Sequence, residues 1–234
     1  VGTIHSVADR LLRLRPVESA LSPSYEIAED ADALASETFD VLMHSVQSGT
    51  LAAELVGPDA GSRAAEGTQT ILDAIDAGVR AESREGEWLT YYGLDGLVSG
   101  FIQHRDAPPP DVPPEDFDAT TFRAEAAGVI GLCQGLPVTG APGLEWLARV
   151  VYTLRELLGE GQPVVVLREL RRLVASKPTD ATKKRGFGNH AAAFNAWKQW
   201  QESSRHALLA PASRWLATRL VRLFPVVTTL YERV

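Results

Sequence analysis

Apolar residues recur at helical spacing through most of the chain. The first apolar stripe precedes Pro16, has i, i+3, i+7 and i+10 spacing, and comprises Ile4, Val7, Leu11 and Leu14. Residues with this spacing share one face of an α-helix, whereas a half-buried strand alternates at every second residue. No segment shows a convincing alternation. The pattern therefore predicts an all-α, multi-helix globular protein.

Gly, Pro and polar residues divide this pattern into roughly nine or ten predicted helices. After the first, the stripes predict helices within residues 31–42, 71–79, 88–102, 118–133, 144–158, 163–174 and 189–208, and two more that begin at Pro211 and Pro225. Asp118 and Asn189 are suited to cap two of them, because short polar side chains accept hydrogen bonds from free backbone amides. Residues 164–166 alone fit a strand equally well, but the length of their segment favours a helix. Residues 176–188 are polar and basic and predict a mobile loop.

A proline-rich stretch follows the fourth predicted helix. Its five prolines are Pro108, Pro109, Pro110, Pro113 and Pro114. Prolines remove backbone donors and hold a chain extended, which favours a linker. We therefore expect an N-terminal helical lobe at 1–103, a linker at 104–116 and a C-terminal helical lobe at 117–234. A chain of 234 residues can form either one compact domain or two such small lobes.

Charge is distributed unevenly along the chain. The net charge is −7, but residues 1–148 are rich in Asp and Glu, whereas residues 149–234 carry more Lys and Arg than acids. This asymmetry predicts either a basic surface for an anionic partner or complementary faces that pair between copies.

The chain lacks the motifs of common catalytic and metal sites. Its five histidines show neither HExxH nor Glu-x-x-His spacing, and no nucleophile elbow, P-loop or dinucleotide fingerprint is present. Cys133 is the single cysteine, and its place on an apolar stripe favours a core residue over a nucleophile. We expect no catalytic residue, no metal and no cofactor. An enzyme whose site is assembled from scattered acids and histidines stays open as a third interpretation.

The lengths of the apolar runs and the single cysteine indicate the cellular compartment of the protein. The longest apolar runs, such as residues 163–167, are far shorter than the roughly 20 residues that a membrane helix needs. No membrane span is expected, and a single cysteine favours a reducing compartment. We expect an intracellular or virion protein.

The strongest cluster of candidate binding residues is basic. Arg168, Arg171 and Arg172 lie at i, i+3 and i+4, so they share one helix face opposite an apolar face. The segment that follows adds Lys177, Lys183, Lys184, Arg185, Trp197 and Trp200. Cations bind phosphates and flat rings stack on bases, so the cluster suits single-stranded nucleic acid or another anion. The alternative is a solvated helix face beside two core tryptophans.

Several short segments carry a family resemblance. They are Thr120-Thr121-Phe122-Arg123, Ala126-Ala127, Cys133-Gln134 and Leu136-Pro137-Val138-Thr139-Gly140, with Phe39-Asp40 upstream. This pattern, over about 25 residues, resembles the middle of phlebovirus-type viral nucleoproteins. The resemblance implies an all-helical protein that polymerises on RNA through an N-terminal arm, here residues 1–15. Nothing after Gly143 matches, so no RNA-contact residue is carried over.

Two hypotheses for function follow. The first is a non-enzymatic structural protein, such as a viral nucleocapsid or coat protein, that self-associates and binds nucleic acid through its C-terminal basic region. Contact between the acidic part of one copy and the basic part of the next would be head-to-tail and therefore open-ended. The alternative is a helical subunit of a larger complex, for example an organellar one, in which the same charges contact other protein subunits.

Overall fold

A computed structural model describes residues 31–81, 84–85, 90–91, 93–176, 178 and 184–234 of the protein. The first predicted helix and the predicted arm at residues 1–15 lie outside this part of the chain. The described helices are α1 Ala31–Ser48, α2 Leu51–Glu54, α3 Ala60–Asp76, α4 Leu94–Gln103, α5 Ala119–Leu132, α6 Pro142–Leu157, α7 Pro163–Ala175, α8 Ala191–Gln199, α9 Arg205–Val221 and α10 Phe224–Tyr231. A 3-10 helix at Lys184–Phe187 precedes α8, and a π-helical turn at Trp200–Ser204 joins α8 to α9.

The predicted all-helical class is confirmed, and the predicted number of helices is slightly too high. Ten helices are labelled above, but α2 is a single turn, and α8 and α9 form one continuous helix over residues 191–221. The described part of the chain therefore contains eight full helices. The fourth helix begins at Leu94, later than predicted. Thr90–Tyr91 instead pairs antiparallel with Arg84–Glu85, and Thr and Tyr are among the residues that favour strands.

One hydrophobic core joins helices from both sides of the proline-rich stretch. The C-terminal helix α10 packs against α1 and α4, and α9 packs against α3, α5 and α7. The fully buried side chains include Ile71 of α3, Phe122 of α5, Leu170 of α7 and Leu230 of α10. The N-terminal and C-terminal halves of the sequence therefore contribute to the same interior.

The proline-rich stretch runs over the surface without regular structure between α4 and α5. The backbone amide of Glu115 donates to Thr218 Oγ1 of α9 at 3.3 Å. Phe117 lies 5.9 Å from the ring of Phe122, which is buried at the start of α5. Asp118 then caps α5 by accepting a hydrogen bond from the backbone amide of Thr121 at 2.9 Å, as predicted. The stretch is thus attached to the helices at its C-terminal end.

Two predicted features of the C-terminal part are wrong. His190 rather than Asn189 precedes α8, and Asn189 has a left-handed backbone with a φ of 62°. Pro211 lies inside α9 instead of opening a helix, and its ring is buried. A proline inside a helix loses one backbone hydrogen bond and crowds the carbonyl of the preceding turn, and the burial of the apolar face of α9 offsets this cost. Pro225 does open the last helix, in its first turn.

The predicted mobile loop is also partly structured. Lys184–Phe187 forms a 3-10 turn, and Phe187 is fully buried against the start of α6. An alanine Cβ at Gly143 would lie 2.5 Å from the Phe187 ring, so the absence of a side chain there lets the two segments touch. Among the described residues, no helix combines the length and the apolar character needed to cross a bilayer.

Candidate functional site

The predicted basic face lies on α7. Pro163 opens this helix, where its missing amide hydrogen costs nothing, and residues 164–166 are helical, as their length predicts. The buried face of α7 comprises Val166, Leu167, Leu170 and Leu173. The opposite face carries the three arginines, and the structure gives each of them a different environment.

Two of the three arginines are neutralised within the protein. Arg168 Nη1 lies 2.7 Å from Asp76 Oδ1 of α3, and its Nε lies 3.2 Å from Glu169 Oε1. Arg172 Nη1 lies 2.7 Å from the same Glu169 oxygen. The hydrogen bond to Asp76, together with that to Glu169, raises the pKa of Arg168 above its ordinary value. These two cations are therefore less available to a phosphate than their spacing alone indicates.

Arg171 differs because the described residues offer it no carboxylate partner. Its Nη1 donates to the carbonyl oxygen of Ala77 at 3.3 Å, and no Asp or Glu of the described residues lies within ion-pairing distance. Burial among apolar groups lowers the pKa of its guanidinium. A half-buried cation without a counter-charge is unfavourable in isolation, which favours an anion at this position.

Arg171 lies at the wall of a cavity of about 370 Å³ between α4, α7 and α9. The lining comprises Val79, Gly93, Leu94, Gly96, Leu97, Leu167, Arg171, Ser213, Leu216, Ala217 and Leu220. Arg171 is the single charged side chain in this described lining. We call this space the Arg171 cavity. It offers apolar walls to an uncharged ring and one cation to an attached anionic group.

The other predicted cations lie in or near the 3-10 turn. Lys184 and Arg185 are exposed, and the turn that carries them is held by the buried Phe187. Lys177 and Lys183 lie outside the described residues. The exposed pair is available to a ligand without any rearrangement of the core.

The two predicted stacking residues belong largely to the interior. Trp200 is 2% exposed and lies edge-on to Trp146 at 5.6 Å, so its indole is not presented to a ligand, which corrects the prediction for this residue. Its Nε1 has no hydrogen-bond partner among the described atoms. Trp197 is half-buried and stacks on Phe194, with ring centroids 5.8 Å apart. The helical spacing of the two tryptophans reflects packing of α8 rather than an open stacking platform.

Ion pairs connect the acidic and basic halves of the sequence. Arg222 pairs with Glu66 at 3.1 Å, and Arg233 pairs with Glu54 at 3.2 Å. Together with the Arg168 pair, these bridges join α7, α9 and the C-terminus to α2 and α3. Part of the charge asymmetry is therefore compensated inside one molecule.

An acidic groove lies between α1 and α4. Its volume is about 670 Å³, and Asp32, Asp40 and Asp95 line it together with Phe39 at its base. We call it the acidic groove. The sequence indicates an acidic N-terminal half but does not show that these three carboxylates line one groove, because Asp95 comes from a separate helix.

A second groove lies between α5 and α6. It has a volume of about 360 Å³, and its rim carries Val138 and Tyr152, which are 63% and 62% exposed. Cys133 faces this groove from α5 and is half-buried, and burial raises the pKa of its thiol to about 11. A protonated thiol is a poor nucleophile, so Cys133 behaves as an apolar residue. Among the described residues, no group of three or more metal-ligating side chains comes together.

Comparisons with known proteins add no family or neighbour. No family model matches the chain, and neither the curated proteins nor the solved structures contain a significant match.

Proposed function

We propose that this chain is a non-enzymatic assembly protein that binds single-stranded nucleic acid and self-associates, as a nucleocapsid protein does. The observation that carries the proposal is Arg171, a half-buried cation with no carboxylate partner among the described residues, at the wall of a largely apolar cavity. A nucleotide combines the two properties that such a cavity accommodates, a flat ring and an anionic phosphate. Lys184 and Arg185 add exposed positive charge in the same half of the sequence.

The acidic groove supports the self-association part of the proposal. Asp32, Asp40 and Asp95 line the groove, whereas residues 1–15 contain Arg10, Arg13 and Arg15 beside one acid, so the groove and this segment are opposite in charge. We propose that the groove of one copy receives residues 1–15 of another, in line with the arm that the family resemblance implies. Such a contact joins two different surfaces, so it is heterologous and can extend into a chain of subunits.

Nucleic-acid binding is tested by removing one charge from α7 at a time. Arg171→Gln is expected to weaken binding of a single-stranded RNA oligonucleotide about tenfold and to reduce the salt slope by about one, because one phosphate contact is lost. Arg172→Gln is the matched control, since it removes the same charge from the next residue, which is exposed and paired with Glu169. Equal effects of both substitutions would show that the cavity is not the binding site.

Self-association is tested by light scattering on protein purified without nuclease, with absorbance recorded at 260 and 280 nm. We expect nucleic-acid-containing particles that dissociate in high salt. Deletion of residues 1–15 is expected to leave smaller species that are still folded and largely helical by circular dichroism. A monomer that is free of nucleic acid and insensitive to salt would refute the proposal.

The alternative function is a helical subunit of a larger protein complex. The observation that favours it is the α5/α6 groove with Val138 and Tyr152 exposed at its rim, since contiguous exposed apolar side chains mark protein contacts. In this case Arg171→Gln leaves RNA binding unchanged, and Tyr152→Ser reduces co-purification of protein subunits from the native source.

A further inference from the structure

Ser213 brings a hydroxyl group to the wall of the Arg171 cavity. The cavity-lining residues of α9 share one helix face at i, i+3, i+4 and i+7, and they are Ser213, Leu216, Ala217 and Leu220. Arg171 lines the same cavity from the neighbouring helix α7. Ser213 is the single uncharged polar side chain in the described lining. The cavity therefore presents one hydroxyl and one cation, and both are carried by helices.

The Ser213 hydroxyl is not used within the described part of the fold. Serine and threonine side chains inside helices often donate a hydrogen bond to the carbonyl oxygen one turn earlier. Thr38 Oγ1 donates in this way to the Leu34 carbonyl oxygen at 2.7 Å. Ser203 Oγ likewise donates to the Gln199 carbonyl oxygen at 3.1 Å. Ser213 is half-buried, and its hydroxyl has no hydrogen-bond partner among the described residues, so its proton and its lone pairs are available to a ligand.

Other polar groups at the cavity wall are already paired or can only donate. The backbone amides of Leu94 and Gly96 donate within the protein, the second of them to Asp95 Oδ1 at 2.6 Å. Arg171 carries N–H donors and a positive charge, so its preferred partner is an anion. Ser213 is thus the side chain of the described lining that can both donate to and accept from an uncharged hydroxyl.

The cavity is large enough for one nucleotide unit. Its volume of about 370 Å³ corresponds to a sphere about 9 Å across, and small-molecule sites typically begin at about 300 Å³. Ala217 in the lining is exposed, so the cavity opens to solvent and a bound strand can continue beyond it. In a nucleotide, the phosphate and the 2′-hydroxyl are attached to the same sugar ring. One nucleotide can therefore place its phosphate at Arg171 and its 2′-hydroxyl at Ser213, with the base against the apolar walls.

RNA and DNA differ at this position of the sugar. The 2′-hydroxyl of ribose is both a donor and an acceptor, and deoxyribose lacks it. We propose that Ser213 makes the Arg171 cavity selective for ribonucleotides by hydrogen bonding to one 2′-hydroxyl. This inference rests on the proposed nucleic-acid function and narrows its ligand to RNA. Ser213 determines the choice of sugar, whereas Arg171 supplies affinity for phosphate.

Selectivity is measured by fluorescence anisotropy with single-stranded oligonucleotides of one sequence in RNA, 2′-fluoro RNA and DNA form. The 2′-fluoro sugar keeps the pucker of ribose but has no hydroxyl proton to donate, so it isolates the hydrogen bond. Wild type is expected to bind RNA about three- to tenfold more tightly than 2′-fluoro RNA, the effect of one hydrogen bond. Ser213→Ala is expected to bind these two equally, while its affinity for 2′-fluoro RNA stays that of the wild type.

Ser203→Ala is the matched control. It removes the same hydroxyl from an exposed position in the π-helical turn before α9, where the hydroxyl is bonded to the Gln199 carbonyl oxygen. Alanine is the most favourable residue in a helix, so neither substitution is expected to unfold the protein. The ratio of the two affinities also does not depend on the folded fraction. Ser203→Ala should keep the wild-type preference for RNA.

The outcomes separate this inference from the proposed function. Binding of neither RNA nor DNA, or equal losses in Arg171→Gln and Arg172→Gln, overturns nucleic-acid binding in the cavity and the selectivity with it. If RNA binding depends on Arg171 but wild type binds 2′-fluoro RNA equally well, Ser213 does not recognise the sugar. The same conclusion follows if Ser213→Ala keeps the preference for RNA, or if Ser203→Ala loses it.

Discussion

Replacement of Gly143 by alanine tests how α6 is joined to the 3-10 turn that carries Lys184 and Arg185. An alanine Cβ would lie 2.5 Å from Cδ1 and Cε1 of Phe187 and 2.7 Å from the carbonyl oxygen of Gly186. These distances are well below van der Waals contact. Phe187 is fully buried, so its ring cannot turn outward, and the second contact is with backbone rather than with a flexible side chain.

The magnitude follows from two opposing effects. Overpacking a buried contact by one methyl group destabilises a protein by about 1–3 kcal/mol. Alanine is favoured over glycine inside a helix by up to about 1 kcal/mol, but Gly143 lies in the first turn, where this gain is smaller. We expect Gly143→Ala to destabilise the protein by about 2 kcal/mol. For a chain of this length, that lowers the melting temperature by about 4–8 °C.

A matched control is available in α5. Gly128 is exposed, and an alanine Cβ there would meet no atom within 4 Å. Gly128→Ala is therefore expected to stabilise the protein by about 0.5–1 kcal/mol, the helix-propensity difference alone. The two free energies of unfolding are measured by urea denaturation with circular dichroism, and the same substitution should change them in opposite directions.

The contributions of the ring contact and the backbone contact to the loss of stability can be separated. In a Phe187→Leu background, the effect of Gly143→Ala should become smaller, because the ring atoms are gone, but it should not vanish, because the Gly186 carbonyl remains. A Gly143→Ala protein that is as stable as wild type would show that α6 and the 3-10 turn do not touch as described. Equal losses in both backgrounds would assign the effect to the backbone contact alone.

Two further predictions concern ionisable groups. Burial raises the pKa of the Cys133 thiol to about 11, so at pH 8 the thiol should react with a disulfide reagent about 100-fold more slowly than a free cysteine. Unfolding in urea should restore the rate of a free cysteine. Reaction of the folded protein at that rate would contradict the prediction. Hydrogen bonds from the Thr121 side chain and backbone amide lower the pKa of Asp118, so the ionised carboxylate stabilises the fold above its unfolded pKa and loses this effect as the pH falls through the lower folded pKa. In thermal melts, wild type should therefore exceed Asp118→Asn in stability near pH 7 and lose that advantage below about pH 4; a difference that does not depend on pH would refute this account.

Local patterns in the sequence predicted most of the helices. The apolar stripe and the proline at its start predicted α7, and Asp118 predicted the cap of α5, because both signals depend only on neighbours within about one turn. The segment before α4 was predicted less well. Its large apolar residues fit the helical spacing, yet Thr90–Tyr91 pairs with Arg84–Glu85, because a short apolar run fits a strand as well as a helix.

The candidate site was only partly accessible from the sequence. The spacing of the α7 arginines placed them on one face, but it did not show that Asp76, almost a hundred positions earlier, neutralises Arg168 while Arg171 has no such partner in the part of the chain that the structure describes. The Arg171 cavity takes its walls from three helices distant in sequence. Pairing between distant charges is decided by packing rather than by spacing.

The π-helical turn at Trp200–Ser204 sets the rotational phase between the two ends of one long helix. Such a turn contains one residue more than an α-helical turn, and one residue corresponds to a rotation of about 100° about the helix axis. The face of α8 that packs on α6 and the face of α9 that packs on α5 and α7 are therefore offset by this extra residue. Substitutions within the turn preserve the offset, whereas deletion of one residue rotates one of the two buried faces toward solvent. The length of this segment thus fixes how the two buried faces are turned relative to each other, in addition to the packing that the buried Trp200 itself supplies.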